Sequence, residues 1–363
     1  MRVLIDGRAL SAASATRGIG RYVANLVTEL AAFDDLELKA LVTEGDTLPR
    51  GVHAALTKRR SPNRLNYLEQ SLLLPRDIRR NPADVFHSPG TEPPRHSAVP
   101  WVQTLHDVIP VVYDHPLFAR EARRWTSRAR RIRAARAVIA NSSNTAADGV
   151  RVLGIDPDRI TVIPMGVDAM FTPPQQDRAT ADPPFVLYVS EYGPNKGFPE
   201  AFEVISALAA RGLPHRLKMV GHMSPKTTAL VQGLAAAADP ERVDLLGRVS
   251  PATLVELYRT ASAVVVTSRY EGFGFPVLEG MACGAPVVSF DNSSLPEVAG
   301  DAGVLVKDGD VSAFVDALCE VLTSSHLADE LSAAGPPHAA QFRWDECARR
   351  TVAVYRDVVS ARG

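Results

Sequence analysis

Short apolar runs ending in Gly, Asp, His or Ser alternate with amphipathic stretches along the whole chain. The runs predict strands over 3–6, 36–43, 83–88, 101–106, 137–141 and 160–164 in the first half. In the second half they predict strands over 185–190, 217–221, 243–247, 263–267, 286–289 and 303–306. Runs such as AVVVTS and FVLYVS are β-branched and apolar on both faces, as a parallel strand covered by helices on both sides requires. Between them, 20–32, 199–211 and 311–323 carry apolar residues at helical spacing. This alternation predicts an α/β protein with parallel sheets. A dozen strands exceed one tidy open sheet, so two Rossmann-like domains are expected.

The chain has 363 residues, enough for about two domains at roughly 150 residues each. Residues 169–184, AMFTPPQQDRATADPP, hold four prolines and little periodicity, and read as a linker. That divides the chain into an N-terminal domain over 1–168 and a C-terminal domain over 185–345. A last helix from Trp344 to about Ser360 has no strand after it. Apolar residues make up 46% and charged residues 22%, which excludes collagen, disordered tails and disulfide-rich modules. No apolar run of about 18 residues is present, so no spanning helix is predicted. The opening MRVLIDGRAL reads as a first strand and not as a signal peptide. Cys283, Cys319 and Cys347 are odd in number and far apart, which fits neither a disulfide framework nor a zinc knuckle, and a cytoplasmic location is expected. The net charge of −1 conceals an asymmetry. Residues 1–150 hold 22 basic and 15 acidic side chains, +7, and residues 183–345 hold 11 and 19, −8. Opposite signs suggest halves with different partners.

In open α/β sheets, ligands bind beyond the carboxyl ends of the strands. The residues falling there are Gly7, His106, Asp107, Asn141, Gly166, Ser190, Lys196, Gly221, Gly247, Glu271 and Asp291. Two such domains facing each other would bound one deep cleft. The richest stretch is 268–286, SRYEGFGFPVLEGMACGAP. Gly272 and Gly274 allow a tight turn, and Pro276 suits a first helical position. The amides of Val277, Leu278 and Glu279 are then expected to be unpaired at a helix start, a site suited to a diphosphate. Carboxylates at Glu271 and Glu279 beside such a site suit sugar hydroxyls. Alternatively, Glu279 complements the helix dipole and Glu271 is a turn residue.

This stretch resembles the E-x7-E signature of retaining GT-B glycosyltransferases of family 4. The resemblance extends over nearly the whole chain, through RGIGRYVANL, HDVIP, ANSSNTAADGV, VIPMGVD, LYVSEYGPNKG, LLGRVSPATL and FDNSSLPEVAGDAGVLV, in the family's order and spacing. It implies two Rossmann-like domains facing across a cleft, a nucleotide sugar held by the C-terminal one, and an acceptor held mainly by the N-terminal one. It also implies transfer with retention, no cofactor and no obligatory metal, and a C-terminal helix, 346–363, packed back on the N-terminal domain. Carried over by position, Glu279 would bind the donor ribose. Glu271 would face the transferred sugar, with Gly272, Phe273 and Gly274 offering amides, and Leu278 would give its amide to the diphosphate. Lys196 in GPNKG matches the family's diphosphate lysine. Ser190 stands where the family often has an Arg. Arg248 is a candidate for that second cation; equally, it contacts the base through its backbone, or nothing. His106 would lie near the transferred sugar, with Asp107 orienting it or binding acceptor.

Gly18 and Gly20 form a glycine loop that is expected to open a helix at Tyr22; the resemblance implies Gly20 near donor phosphate and Gly18 and Arg21 on the acceptor side, and the alternative is a plain turn. The loop lacks the third glycine of a dehydrogenase fingerprint. Residues 118–136 hold eight arginines, with Phe118, Ala122, Trp125, Ala129 and Ile132 on one helical face. The basic face is either solvated or drawn to an anionic membrane or a phosphorylated acceptor. Nucleic acid is not expected, because no stacking aromatics interleave the arginines. IDGRAL, RGIGRY and HDVIP most resemble bacterial mannosyltransferases of polysaccharide assembly, and this resemblance implies transfer of a hexose, mannose from GDP-mannose first and a UDP-hexose next, to a saccharide, lipid-linked or small-molecule acceptor. The alternatives are an epimerase of the same fold and an inactive sugar-nucleotide-binding regulator.

Overall fold

The structure, a computed structural model, describes residues 1–10, 18–57, 73–175, 181–223 and 225–361. The chain divides into two compact units, Met1–Gly166 with Arg343–Gly363, and Val167–Phe342. Each is built on an all-parallel sheet.

The N-terminal sheet comprises β1 (Arg2–Asp6), β2 (Glu37–Val42), β3 (His53–Leu56), β4 (Val85–Ser88), β5 (Trp101–Leu105), β6 (Ala137–Ala140) and β7 (Ile160–Val162). Their order is β3-β2-β1-β4-β5-β6-β7. The C-terminal sheet comprises β8 (Phe185–Val189), β9 (Arg216–Val220), β10 (Val243–Gly247), β11 (Ala263–Val266), β12 (Val287–Asp291) and β13 (Val304–Lys307). It is ordered β10-β9-β8-β11-β12-β13. The central strands β1, β4, β5, β8, β11 and β12 are buried almost throughout, which accounts for the apolar runs of β8 and β11, FVLYV and AVVV, whereas β4 and β5 also bury His87, Gln103 and Thr104. In both sheets the strand order reverses beside the first strand, at β1/β4 and at β8/β11, and ligands bind at such switch points. Strand β3 goes beyond the expected dozen. It pairs only with β2 at the sheet edge, and of its four residues only Ala55 is buried, so no apolar run announces it.

The chain leaves the N-terminal unit at Gly166, ahead of the proline-rich stretch. Val167 N–H donates to the Phe342 carbonyl at 3.0 Å, Phe171 packs edge-on against Tyr258, and Arg259 holds the Thr172 carbonyl and hydroxyl, each at 2.8 Å. The first residues of the expected linker are therefore part of the C-terminal unit. Its residues 176–180 lie outside the described residues.

The helix Trp344–Ser360 belongs to the N-terminal unit. Its buried residues Cys347, Ala348, Thr351, Val352, Tyr355 and Val358 recur at three- and four-residue spacing and pack against the helix Gly18–Leu30 and strands β4 to β6. Gly166 makes the close approach possible. A Cβ there would stand 2.4 Å from the Trp344 amide nitrogen.

The basic stretch forms a helix over Ala119–Ile132, with Trp125, Ala129 and Ile132 buried. Not all its arginines are solvated. Arg128 is buried, pairs with Glu92 and Glu121, and lies over the Trp125 ring. Arg133 donates to the Leu153 carbonyl. Removing one partner of a buried pair costs about 3–5 kcal/mol, so Arg128 is part of the fold. Phe118 lies in the preceding 3-10 turn Pro116–Phe118 and is only half-buried, because the helix starts one residue later. Among the described residues no helix is long and apolar enough to cross a membrane.

Gly166→Ala should destabilise the protein by about 1–3 kcal/mol, since backbone on both sides cannot give way. Gly233→Ala, in the helix Pro225–Ala237 with open space around it, should be neutral or stabilise by up to about 1 kcal/mol. Urea unfolding of both variants checks the contrast; equal effects would mean that the helix does not depend on Gly166.

Candidate active site

In the C-terminal unit, the loops after the neighbouring strands β8 and β11 are tied together by their backbones. The chain turns through Pro194–Lys196 and enters the helix Phe198–Ala210 at Gly197. Gly197 has φ +66°, and a Cβ there would sit 1.8 Å from the Thr267 carbonyl oxygen. Thr267 Oγ1 donates to the Gly197 carbonyl at 2.7 Å. Asn195 Nδ2 donates to the Tyr270 carbonyl, Arg269 N–H donates to the Asn195 carbonyl, each at 2.8 Å, and Tyr188 Oη donates to the Lys196 carbonyl at 2.5 Å. This lattice brings together two residues 75 positions apart. Lys196 Nζ lies 2.7 Å from both carboxylate oxygens of Glu271. Their side chains are 24% and 12% exposed.

Glu271 is held from other directions too. Ser268 Oγ donates to its carboxylate at 2.8 Å, and its N–H donates to Ser293 Oγ at 2.9 Å. Ser294 Oγ donates to the carbonyls of Glu271 and Phe273. Gly272, Phe273 and Gly274 are buried, with the Phe273 ring against Phe275 and Phe342. The helix Phe275–Ala282 follows, with Pro276 in its first turn. The amides of Val277 and Leu278, expected to be unpaired, donate to the Gly274 carbonyl at 3.1 and 3.3 Å. An N-cap carbonyl accepts the first intrahelical bonds. The Leu278 bond is long enough for a ligand oxygen to share the proton.

Glu279, on that helix, is 2% exposed and accepts a hydrogen bond from Tyr258 Oη at 2.9 Å. Burial of a carboxylate requires such a partner. Tyr258 lies on the helix Pro251–Thr260, before β11, and no local pattern links it to Glu279. Arg248 follows β10 and lies half-exposed, 3.7 Å from Glu191, the residue after Ser190. It is thus not brought to the Lys196–Glu271 pair through any described contact.

In the N-terminal unit, His106 follows β5 and is 8% exposed. Its Nε2 lies 2.7 Å from the Pro89 carbonyl, which can only accept, so Nε2 carries the proton. The Tyr22 ring stands edge-on to it at 4.9 Å. Burial pushes its pKa down to about 4, so the ring is neutral near pH 7 and Nδ1 is left as the acceptor. Behind it runs a buried polar layer that sequence reasoning missed. Tyr355 Oη lies 2.6 Å from His87 Nδ1, His87 Nε2 lies 2.8 Å from Thr104 Oγ1, and Thr104 Oγ1 lies 3.1 Å from Tyr22 Oη. Burial, with the neighbouring His106 adding to it, pushes the His87 pKa down to about 3. Asp6 and Arg8, at the end of β1, form a further buried ion pair at 2.5 Å. Asp107 Oδ1 accepts the Ile109 N–H at 3.0 Å, so it caps a short turn. Gly18 and Gly20 do not form a loop before the helix. They occupy the first turn of the helix Gly18–Leu30, with Gly20 and Tyr22 buried and the Arg21 carbonyl accepting from Asn25. Among the described residues no cluster of three or more His, Cys, Asp or Glu side chains could hold a metal ion.

Two family models cover most of the chain, Glycosyltransferase Family 4 over 16–171 and Glycosyl transferases group 1 over 172–337. The chain is 27% identical to O-antigen chain mannosyltransferase B of Escherichia coli, over 93% of its own length and 96% of that protein's. It is 30% identical to a D-inositol 3-phosphate glycosyltransferase of Acidothermus cellulolyticus over 73% of its length, and spans 63% of that relative. Solved structures with the same fold include sucrose-phosphate synthase from Thermosynechococcus elongatus (TM-score 0.82, 22% identity, 99% of each chain). WaaG, a glycosyltransferase involved in lipopolysaccharide biosynthesis, also shares it (TM-score 0.73, 16% identity, 98% and 99% of the two chains). Paired parallel-sheet Rossmann-like units define the GT-B class. Within it, this chain belongs to the family 4-like glycosyltransferases.

Both histidine pKa values fall below the unfolded value of about 6.5. The unfolded chain therefore binds these protons first, and the stability they contribute is complete above pH 6.5. It is lost as pH falls through that value toward the folded values of about 4 and about 3. His87→Gln should flatten the dependence of stability on pH between 6.5 and 4 by about one proton. Urea unfolding across that range measures the slope; an unchanged slope would show that His87 is not buried neutral.

Proposed function

We propose that this glycosyltransferase moves a hexose from a nucleoside diphosphate sugar to an acceptor hydroxyl with retention of anomeric configuration. The observation that carries the reading is the Lys196–Glu271 pair at the β8/β11 switch point, together with the buried Glu279 on the helix that follows. On this reading Lys196 takes the diphosphate, and a fixed cation there stabilises the charge that grows as the leaving group departs. Leu278 shares its amide with the same group. Glu271 accepts hydroxyls of the transferred sugar, and Glu279, fixed by Tyr258, accepts those of the ribose.

The bond from the anomeric carbon to the diphosphate oxygen breaks, a bond to the acceptor oxygen forms, and the hydroxyl proton leaves with the phosphate. No carboxylate is assigned as a nucleophile. The likeness to the mannosyltransferase along almost the full length of both chains favours GDP-mannose as donor, with UDP-hexoses next. The N-terminal unit takes the acceptor, a saccharide or lipid-linked sugar, beside His106 and Asp107. The exposed Arg120, Arg123, Arg124 and Arg130 are offered to an anionic membrane surface or a phosphorylated acceptor.

A panel of GDP- and UDP-sugars tests the reading. One should release free nucleoside diphosphate, the release should survive excess EDTA, and NMR of the product should show the donor's anomeric configuration. Inversion, or activity that EDTA abolishes and Mg²⁺ restores, would contradict it. Glu279→Ala should weaken nucleotide binding by about 1–3 kcal/mol, because ribose hydroxyls and Tyr258 lose their acceptor together. Calorimetry that finds wild-type affinity would remove Glu279 from the ribose site.

A further inference from the structure

The Lys196–Glu271 pair raises a question of charge. Lys196 gives two of its three N–H bonds to Glu271, at 2.7 Å each. The Lys196 carbonyl accepts from Tyr188 Oη and its N–H donates to the Gly193 carbonyl, while the backbone of Glu271 is held by Ser293 and Ser294. Only the side chains are left to move. The other cations near these loops face other carboxylates: Arg269, after β11, faces Glu200 and Asp308, and Arg248, after β10, faces Glu191. A diphosphate and the Glu271 carboxylate are both anions, and both would use the same ammonium. Like charges around one partly buried cation raise each other's free energy, so strengthening one contact weakens the other.

We propose that Glu271 is the resident counter-ion of Lys196 and competes with the diphosphate for it. This rests on reading Lys196 as the diphosphate's cation. When the donor binds, the ammonium passes from carboxylate to diphosphate, which frees the Glu271 oxygens for the hydroxyls of the transferred sugar. After transfer no sugar holds Glu271. The carboxylate then returns to Lys196 and displaces the nucleoside diphosphate. The residue thus acts twice, on the sugar during transfer and against the product afterwards, and both roles use the same two oxygens.

The test is binding of free GDP, UDP and inorganic pyrophosphate, none of which carries a sugar for Glu271 to hold. Glu271→Gln keeps the shape and removes the charge. It should bind the preferred nucleoside diphosphate and pyrophosphate about five- to tenfold more tightly than wild type, in keeping with releasing one partly buried charge pair. Its turnover should fall, and product inhibition should strengthen. Glu271→Asp, which keeps the charge, should show no such gain. In a Lys196→Met background, Glu271→Gln should gain less than it does beside the native lysine, because no ammonium is left to compete for. Equal or weaker binding by a folded Glu271→Gln, as judged by its far-ultraviolet dichroism, would overturn the competition while leaving the diphosphate site standing. If wild type binds neither GDP nor UDP, the site reading falls, and this inference falls with it.

Discussion

Gly197 lies against the carbonyl of Thr267 more closely than any side chain would permit, and the C-terminal unit's chemistry depends on that approach. It draws the loop after β8 onto the loop after β11. Once they touch, Asn195 accepts from the Arg269 amide and donates to the Tyr270 carbonyl, and Lys196 and Glu271 can only meet. The strands are neighbours because the sheet's order reverses there, so topology supplies the adjacency and the glycine supplies the closeness. Fixing a long, flexible lysine costs about 2 kcal/mol of side-chain entropy, and the bidentate ion pair with Glu271 offsets that cost.

The two carboxylates of the E-x7-E stretch face different physics. Glu271 sits at a loop with a cation, three serines and partial exposure, so its charge is balanced and can be exchanged. Glu279 is buried on a helix against a tyrosine hydroxyl, so its geometry is fixed while a hydrogen-bond donor remains bound to it. One is suited to a changing partner and the other to a permanent one. Eight positions of sequence separate them, but their difference comes from which side of the helix start each occupies.

The N-terminal unit solves a different problem. His106 is kept neutral by burial and pointed by one carbonyl, and the layer beneath it, Tyr22, Thr104, His87 and Tyr355, is polar yet buried. Buried polar groups of this kind hold only when each finds a partner. Tyr355 comes from the last helix of the chain, 268 residues after His87, so the C-terminal helix completes the layer under His106. Gly166 lets that helix start against the end of the sheet's last strand.

The parallel α/β architecture was legible in the sequence because strands buried on both faces read as near-continuous apolar runs, as AVVV and FVLYV do. The same logic explains why β3 was not: an exposed edge strand carries no such pattern. Lys196, Glu271 and His106 were legible as candidates because they fall beyond the carboxyl ends of strands, and Glu279 because it lies on the helix after the glycine turn; the resemblance to family 4 gave them roles. What stayed hidden were the side-chain and backbone contacts between distant positions. That Lys196 pairs with Glu271, that Tyr258 supports Glu279, that the Val277 and Leu278 amides close onto Gly274, and that Arg128 is buried between Glu92 and Glu121 all depend on where strands and helices lie after packing. Local sequence sets which face of an element is apolar. It says nothing of which polar atoms meet across elements, since those partners are chosen by tertiary contact and by the cost of leaving a buried donor or acceptor alone.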